Sequence, residues 1–345
     1  MTIVPGYILS SFVLAILIFP LFIKMLYRKQ ILDKSDERKL HERDVPLLGG
    51  FPVIISTMLT TLFFFPFDVL IELRYFFGTL FLMFLVGLRD DLLPLNPFVK
   101  FISQVIPCIL VYFLLDTHID SLYTLFPLEF PFWFSIFITV FTLLIIINSF
   151  NLIDGIDGLA GSLTLISVSA FATYFYFSGN EYLAYLLYSY AGAMLGFLIF
   201  NWAPARIFMG DTGSLFSGFL LGCSAIWFIN ANSEQELPYF QASIGTAMCF
   251  IAVPLFDTFR IIFYRIYKGK SPMSPDRQHI HHILLRLNFS HQKITLVFSI
   301  LQLSLIGMSI AARNLGDLWV MGLLAFVLFS LLGLVLFSLP RPQEK

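Results

Sequence analysis

The stretch around which this chain is organised runs from Asn148 to Gly161 and reads NSFNLIDGIDGLAG. It contains two asparagines, two aspartates and three glycines, and it directly follows an apolar run that ends at Ile147. Carboxylates and amides are costly inside hydrocarbon and tend to be functional there, while glycine lets the backbone come close to a ligand. An acidic, glycine-rich loop at the mouth of an apolar helix therefore suggests a metal ion and a phosphorylated substrate.

The composition is that of a membrane protein. The 345 residues are 58% hydrophobic and 12% charged, with a mean hydropathy of +0.85, whereas about a quarter of the residues in a soluble domain are charged. The net charge of −1 gives no argument for nucleic acid, and we expect no such partner. Cys108, Cys223 and Cys249 lie in apolar segments without a Cys-x-x-Cys pair, so we expect buried thiols rather than disulfides or zinc ligands.

The apolar runs predict an all-α, polytopic membrane protein that forms a single transmembrane domain over residues 1–345. A spanning helix needs roughly 20 apolar residues. The first run lacks a basic flank before it and a cleavage site after it, so we expect a retained anchor. The chain contains about eleven candidate segments, namely 5–27, 46–66, 72–88, 98–115, 131–148, 162–177, 182–200, 214–230, 239–263, 293–311 and 317–338.

The distribution of basic residues predicts the orientation. If successive connections alternate sides, every Lys and Arg except Arg74 and Arg313 falls on one side. Basic loops stay cytoplasmic, so we expect the N-terminus outside and the C-terminus in the cytoplasm. The loops that carry unusual chemistry then share the cytoplasmic face, near residues 28–45, 89–98, 148–161, 201–213 and 264–292.

The first of these loops mixes both charges and includes Lys39 and His41, followed by Pro46 and the pair Gly49-Gly50. One interpretation is the solvated, positively charged flank of a membrane helix. The other is a basic rim that attracts an anionic substrate, with the glycines allowing close backbone approach.

The third predicted helix ends in the pair Asp90-Asp91, shortly before Pro94. Adjacent carboxylates at a helix C-terminus oppose the macrodipole at a cost of about 0.3–1 kcal/mol each, and they also repel each other. Nearby cations or a metal ion would offset this cost. The plain alternative is a water-facing turn.

Two further acidic sites lie on the same side. Asn151, Asp154 and Asp157 are three residues apart and would share one face of a helix, although two plain Asp-Gly turns are the alternative. Asp211 lies in the stretch 210–213, which enters the eighth predicted helix, and it could be only an N-cap. Helix N-termini also offer free N–H groups to phosphate. Asp211 beside such amides can hold a cation that bridges phosphate oxygens, and magnesium favours these ligands.

The largest loop carries Arg265 and then the run DRQHIHH, residues 276–282. Its three histidines raise the question of zinc, but structural zinc normally takes four ligands and no suitably spaced cysteine lies nearby. A basic flank is the plain interpretation, and we favour Arg277 and the histidines as donors to phosphate. His118 and His291, each alone near a helix end, are not expected to take part in chemistry.

Taken together, the motifs resemble a known superfamily. The sequence is similar to the polyprenyl-phosphate N-acetylhexosamine-1-phosphate transferases, which include the phospho-MurNAc-pentapeptide translocases. The final motif resembles the WecA-type branch, which makes undecaprenyl-pyrophosphoryl-GlcNAc, and the His-His-His-Phe-Glu run of the pentapeptide enzymes is absent. The resemblance covers most of the chain and rests on five motifs in order: His41 with PLLGG (46–50), DD (90–91), NLIDGIDGLA (151–160), MGDTGS (209–214) and DRQHIHH (276–282).

The resemblance implies a role for each motif. Positions that match Asp211 and Asn151 hold Mg²⁺, with Mn²⁺ as an alternative, and the histidine loop engages the sugar and diphosphate. Asp90 is debated as a base toward the lipid phosphate. The expected catalytic residues are Asp90, Asp91, Asp154, Asp157 and His279. The expected substrate-binding residues are Lys39, His41, Asn148, Asp154, Asp157, Arg265, Arg277, His279, His281 and His282.

The implied reaction transfers GlcNAc-1-phosphate from UDP-GlcNAc to undecaprenyl phosphate and releases UMP. It would take place at the cytoplasmic face of a bacterial inner membrane, as the first membrane step of a cell-envelope polysaccharide such as O-antigen. One alternative is a sister enzyme with another UDP-N-acetylhexosamine donor. Another is a secondary transporter, although transporters usually place polar groups near the bilayer midplane. A homodimer is left open.

Overall fold

The computed structural model describes residues 3–33, 45–123, 125–126, 128–233, 239–271 and 278–337. Over these residues the protein is all-α, apart from one short ribbon and an isolated bridge between Ser121 and Glu129. The strands are β1 (Leu32–Asp33) and β2 (Val45–Pro46). The helices are α1 (Val4–Lys29), α2 (Gly50–Phe64), α3 (Phe67–Glu72), α4 (Arg74–Leu92), α5 (Pro97–Leu114), α6 (Phe132–Leu152), α7 (Leu159–Phe177), α8 (Glu181–Asn201), α9 (Gly210–Ser233), α10 (Ser243–Phe250), α11 (Ala252–Tyr267), α12 (Ile280–Arg286), α13 (His291–Ala311) and α14 (Asp317–Phe337).

The helices are those of a multi-pass membrane protein. Within the described residues, eight helices are long and apolar enough to cross a membrane, and the bent pair α10 and α11 would make nine. Two other predicted spans correspond to weaker elements. Helix α2 has only 15 residues, and α4 carries Arg89, Asp90 and Asp91 in its last turns. The count of eleven spans therefore stays a prediction, as does the orientation of the termini.

Helix α9 lies at the centre of the bundle, where glycines allow other helices to approach its backbone. A Cβ at Gly218 would lie 2.6 Å from the Cα of Ile147 on α6. A Cβ at Gly87 on α4 would lie 2.6 Å from the Cα of Thr212. Since no side chain fits in such spaces, α4 and α6 cross α9 at backbone distance. This packing brings their polar C-terminal ends to the first turn of α9.

The prediction of one continuous helix over 239–263 is wrong. The chain bends by 90° between α10 and α11. Pro254 is the physical reason, since it has no N–H to donate and its ring clashes with the carbonyl four residues earlier, that of Phe250. Gln302 on α13 binds the backbone at the break. Its Nε2 donates to the carbonyls of Cys249 and Phe250, both at 2.8 Å, and its Oε1 accepts from Val253 N at 3.0 Å.

The short ribbon brings the ends of the first loop to the same place. Leu32 pairs with Pro46, and Asp33 pairs with Val45. The segment that follows β2 then bonds to the chain just before α9, with Gly50 N donating to the Met209 carbonyl at 2.9 Å. The first loop is thus anchored beside the start of α9. Lys39 and His41 themselves lie outside the described residues.

Candidate active site

Four side chains from four helices meet at the start of α9. Lys100, in the first turn of α5, places its Nζ 2.8 Å from Asp90 Oδ2 and 2.8 Å from Asp211 Oδ2. The other oxygen of Asp211 accepts a hydrogen bond from Asn151 Nδ2, and the same nitrogen lies 2.9 Å from Ser214 Oγ. We call Asp90, Lys100, Asn151 and Asp211 the carboxylate centre. The structure therefore brings together residues that lie in separate parts of the sequence.

Asp91 lies next to this centre but points to the backbone of α9. It accepts hydrogen bonds from Asp211 N and Thr212 N, both at 2.8 Å, and from Thr212 Oγ1 at 2.6 Å. Gly210 adopts a positive φ of 72°, and a Cβ there would lie 2.6 Å from Asp91 Oδ2. Asp91 thus caps the helix N-terminus and holds Asp211 in place. Its expected catalytic role remains a prediction.

Asp154 occupies the turn between α6 and α7, and its amide bonds to the carbonyl of Asn151 at 3.3 Å. Burial raises the pKa of this carboxyl well above its usual range, and the negative charges of Asp211 and Asp91 raise it further. A backbone hydrogen bond from Gly210 opposes the shift. Asp154 therefore holds its proton more strongly than an ordinary carboxyl group does, and a cation bound nearby would favour its ionised form.

Asp157 connects three parts of the chain. Its Oδ2 accepts from Ala205 N at 3.1 Å, its carbonyl accepts from Thr295 Oγ1 at 3.0 Å, and its Oδ1 lies 3.5 Å from His291 Nδ1. His291, which we expected to take no part in chemistry, therefore faces a predicted site residue. His118 lies at the far end of α5, 3.4 Å from the exposed Asp116.

The histidine loop is tied to a carboxylate inside α11. Asp257 Oδ2 lies 2.8 Å from His279 Nδ1, and its Oδ1 accepts from Arg260 Nη2 at 3.1 Å. The His279 ring stacks on His281 with centroids 5.4 Å apart. His281 in turn packs on Gly155, where a Cβ would lie 2.9 Å from His281 Nε2. We call Asp257, Arg260, His279 and His281 the histidine cluster.

These contacts bring the histidine cluster against the loop that carries Asp154. Burial lowers the pKa of His281 to about 3, so its ring is neutral near pH 7. His282 lies beside it, with ring centroids 4.4 Å apart. The predicted phosphate contacts of both residues remain predictions.

Three other predicted binding residues have different surroundings. Asn148 lies one turn before Asn151, and its Nδ2 donates to Gln104 Oε1 on α5 at 3.0 Å. Arg265 is buried in the last turn of α11. Arg277 lies outside the described residues, as do Lys39 and His41, so the structure says nothing about their roles.

The carboxylate centre fits magnesium. Among the described residues, no three His, Cys, Asp or Glu side chains are grouped to hold a metal ion by themselves. Magnesium does not need such a group, because it usually binds one or two carboxylates together with water and substrate phosphates. Asp211 and the adjacent Asn151 amide are ligands of this kind. The carboxyl groups of Asp90, Asp91, Asp154 and Asp211 also outnumber the Lys100 ammonium, and a divalent cation would favour their ionised forms.

An apolar groove of about 560 Å³ lies between α6, α9, α10 and α11. Its lining begins at the 119–130 connection before α6 and extends along α6 to Ile145 and Ile146, between one and two turns before Asn151. Its other walls include Phe134, Phe141, Ile226, Met248, Leu255 and Phe259.

Comparison with known proteins places the chain in a family. Residues 73–229 match glycosyl transferase family 4. The chain is 30% identical over 312 residues to the undecaprenyl-phosphate alpha-N-acetylglucosaminyl 1-phosphate transferase of Yersinia pestis, covering 88% of this chain and 83% of that protein. The chain belongs to the family of this Yersinia pestis enzyme. It is also 29% identical to the Salmonella typhi enzyme of the same name and 28% identical to the probable Bacillus subtilis counterpart, each covering 94% of this chain and 89% of the relative.

Membership confirms the resemblance drawn from the motifs and makes the chain a membrane-embedded transferase. The segment that matches family 4 contains the whole carboxylate centre, from Asp90 to Asp211, together with Asp154 and Asp157. The histidine cluster follows it in the sequence. Within the fold, however, both meet at the 153–158 turn.

Two residues were missed in the sequence, Lys100 of the carboxylate centre and Asp257 of the histidine cluster. Both lie inside predicted membrane spans, 98–115 and 239–263. An ionisable residue within a membrane helix is a functional candidate by default, and this signal could have identified both. Lys100 was counted only as a basic residue of the cytoplasmic side.

Proposed function

We propose that the protein transfers GlcNAc-1-phosphate from UDP-GlcNAc to undecaprenyl phosphate and releases UMP. The observation that carries this proposal is the carboxylate centre at the N-terminus of α9, where Lys100 joins Asp90 and Asp211. An apolar groove reaches Ile146 on α6, between one and two turns before Asn151. Such a site suits phosphates that belong to a lipid. The sugar and the lipid acceptor are inferred from the names of the relatives.

The main problem for this reaction is that two anionic phosphates must meet. Phosphoryl transfer asks the protein chiefly for positioning and charge stabilisation. A magnesium ion, when held by Asp211 and Asn151, would supply charge neutralisation for the diphosphate. The Lys100 ammonium is the protein's own cation at this point, and Asp90 fixes its position through the 2.8 Å ion pair. Asp91 keeps Asp211 at the helix start.

We infer direct in-line attack. An oxygen of the lipid phosphate forms a bond to the β-phosphorus of UDP-GlcNAc, and the bond from that phosphorus to the bridging oxygen breaks, so UMP leaves. A phosphate monoester is already largely ionised near pH 7, because its second pKa is about 6. A strong base is therefore unnecessary. Asp90 is engaged by Lys100 and by Leu95 N at 2.7 Å, which favours a positioning role.

The apolar groove suits the polyprenyl chain. Its walls are almost entirely hydrocarbon and aromatic, and they extend along α6 from Phe134 to Ile146. The lipid phosphate would then arrive beside Lys100. UDP-GlcNAc would approach from water, along Asp154, Asp157 and the histidine cluster.

We further propose that this end of the bundle faces the cytoplasm of a bacterial inner membrane, with eleven spans, an outer N-terminus and an inner C-terminus. Arg74 and Arg313 lie at the opposite end, as the predicted charge asymmetry requires. With α2, α4 and the bent pair added to the eight long apolar helices, the count becomes eleven. We also propose that the product is used for O-antigen or another envelope polysaccharide. A homodimer is a further proposal.

The test is an assay of purified protein with UDP-GlcNAc, undecaprenyl phosphate and Mg²⁺. We expect UMP and a lipid-linked pyrophosphoryl-GlcNAc in equal amounts, and loss of both when EDTA is added. Turnover with a different UDP-N-acetylhexosamine alone would favour a sister enzyme. Counterflow of substrate in sealed vesicles without UMP would favour a transporter. A covalent phospho-sugar enzyme trapped with UDP-GlcNAc alone would contradict direct transfer.

A further inference from the structure

Asp257 is a buried carboxylate on α11, and both of its oxygens have hydrogen-bond partners. It lies in the second turn of α11, after the break between α10 and α11, and is 2% exposed. Its Oδ1 accepts from Arg260 Nη2 at 3.1 Å, Arg260 Nε at 3.3 Å and Ile280 N at 3.0 Å. Its Oδ2 lies 2.8 Å from His279 Nδ1. One oxygen is thus saturated by three donors, and the other is dedicated to the histidine.

This arrangement determines which nitrogen of His279 carries a proton. An ionised carboxylate only accepts hydrogen bonds, and the three donors on Oδ1 stabilise the ionised form. The 2.8 Å contact therefore requires a proton on His279 Nδ1. The Nε2 atom remains as the ring nitrogen for a ligand. The second partner of a functional histidine commonly sets its tautomer and ring orientation in this way.

Asp257 also determines where the ring lies. The Ile280 amide and the Arg260 contact to the Gln278 carbonyl hold the chain on both sides of His279. The ring then stacks on His281 at an interplanar angle of 11°. His281 rests on Gly155, in the turn that carries Asp154.

We propose that Asp257 is a positioning residue for the transfer reaction, which keeps the proton of His279 on Nδ1 and presents Nε2 to the donor substrate. The inference rests on the proposed function. A rival explanation is that Asp257 only tethers the loop to α11. The two explanations differ in what happens when the charge is removed but the shape is kept.

The decisive variant is Asp257→Asn. Its amide oxygen can keep the Arg260 and Ile280 donors, while its NH₂ then faces His279 and forces the proton to Nε2. We expect kcat to fall by between about 10-fold and 10⁴-fold, the range seen when partners of functional histidines are changed, with a smaller change in KM. Asp257→Glu keeps the charge and should recover part of kcat. Asp317→Asn is the matched control, since Asp317 is equally buried and accepts from Gly245 N, far from the site.

A double-mutant cycle separates positioning from tethering. In a His279→Ala background, Asp257→Asn should reduce kcat by less than about twofold further, because the residue on which it acts is gone. An equal loss in both backgrounds would overturn the proposal. Unchanged kcat in Asp257→Asn would do the same.

A measurement on the unmodified protein covers the case in which the variants fold poorly. The chain has six histidines, so ¹⁵N-histidine labelling gives a tractable spectrum, with His279→Asn used for assignment. We expect a protonated Nδ1 at His279, and an unprotonated Nδ1 would refute the inference. If the wild-type protein releases no UMP, the proposed function fails instead, whereas the tautomer result still decides the role of Asp257.

Discussion

The carboxylate centre and the histidine cluster lie at the same end of the bundle but balance their charges in opposite ways. Around Lys100, the carboxyl groups of Asp90 and Asp211 share one ammonium, and the carboxyl groups of Asp91 and Asp154 lie nearby. Around Asp257, one carboxylate is met by Arg260, His279 and a backbone amide. The carboxylate centre has more carboxyl groups than cations, whereas the one carboxylate of the histidine cluster has partners on both of its oxygens.

The difference indicates what each cluster is for. An uncompensated buried charge is costly. We therefore expect an excess of carboxyl groups over cations at a place where a bound ligand completes the site. A matched network costs less and holds its members in one geometry. We therefore interpret the carboxylate centre as the place that receives a cation and phosphates, and the histidine cluster as the scaffold that orients one donor.

The prediction with the largest expected effect removes Asp211 from the carboxylate centre. Asp211→Ala eliminates the carboxylate that faces Lys100 and Asn151, so only the Asn151 amide is left of the two proposed metal ligands. We expect UMP release to fall by at least about 10³-fold, as for loss of a principal electrostatic group. Asp116→Ala is the control, because Asp116 is 96% exposed at the far end of α5. Metal-dependent turnover at the wild-type rate in Asp211→Ala would remove the metal assignment.

The next test removes the cation. Lys100→Met keeps most of the side-chain volume but leaves Asp90 and Asp211 without their shared partner. We expect about a 10²-fold loss of kcat/KM for the lipid acceptor. Lys100→Arg should recover only part of it, because a planar guanidinium does not replace a point charge between two carboxylates. Full activity in Lys100→Met would mean that the ammonium merely fills space.

These residues also show what the sequence could and could not predict. The apolar runs predicted most helices, because burial in lipid requires about 20 apolar residues whatever the neighbours are. Asp91, Asn151 and Asp211 were expected at one face because they occupy loops on one side, and the structure brings them together at the start of α9. Asp91 was expected among the catalytic groups, but its carboxylate binds the backbone of α9, and nothing local to Asp91 indicates that contact.

Lys100 and Asp257 needed the tertiary structure. The reach of Lys100 to two carboxylates depends on α5 packing beside α4 with its first turn at the start of α9. The link from Asp257 to His279 depends on the break before α11, which turns that helix toward the histidine loop. Pro254 was a visible signal for the break, but the partner that makes the break tolerable, Gln302, lies 48 residues further along the chain.

Gln302 provides a test of an uncharged hydrogen-bond network, the one at the break between α10 and α11. Gln302→Leu would leave the Val253 N–H and the Cys249 and Phe250 carbonyls without their partner. We expect a stability loss of about 1–3 kcal/mol for each group left unpaired, measured by unfolding in detergent. Gln292→Leu is the control, since Gln292 is exposed and should change stability by less than about 0.5 kcal/mol. Equal stability of the two variants would mean that the break needs no side-chain partner.

The smallest expected effect gives the most direct comparison of the two clusters. Because burial and the charges of Asp211 and Asp91 raise the pKa of Asp154 above its usual value of 3.8, the folded state binds its proton more tightly than the unfolded chain does. Its favourable contribution is therefore present below pH 3.8 and is lost as the pH rises through the folded value.

In metal-free protein near pH 7, Asp154→Asn should raise the unfolding temperature slightly, and the gain should shrink toward pH 4 or when Mg²⁺ is added. Asp257→Asn should lower the unfolding temperature at pH 7, since it removes a charge that Arg260 and His279 already match. Shifts of the same sign in both variants would contradict the distinction between surplus and matched charge.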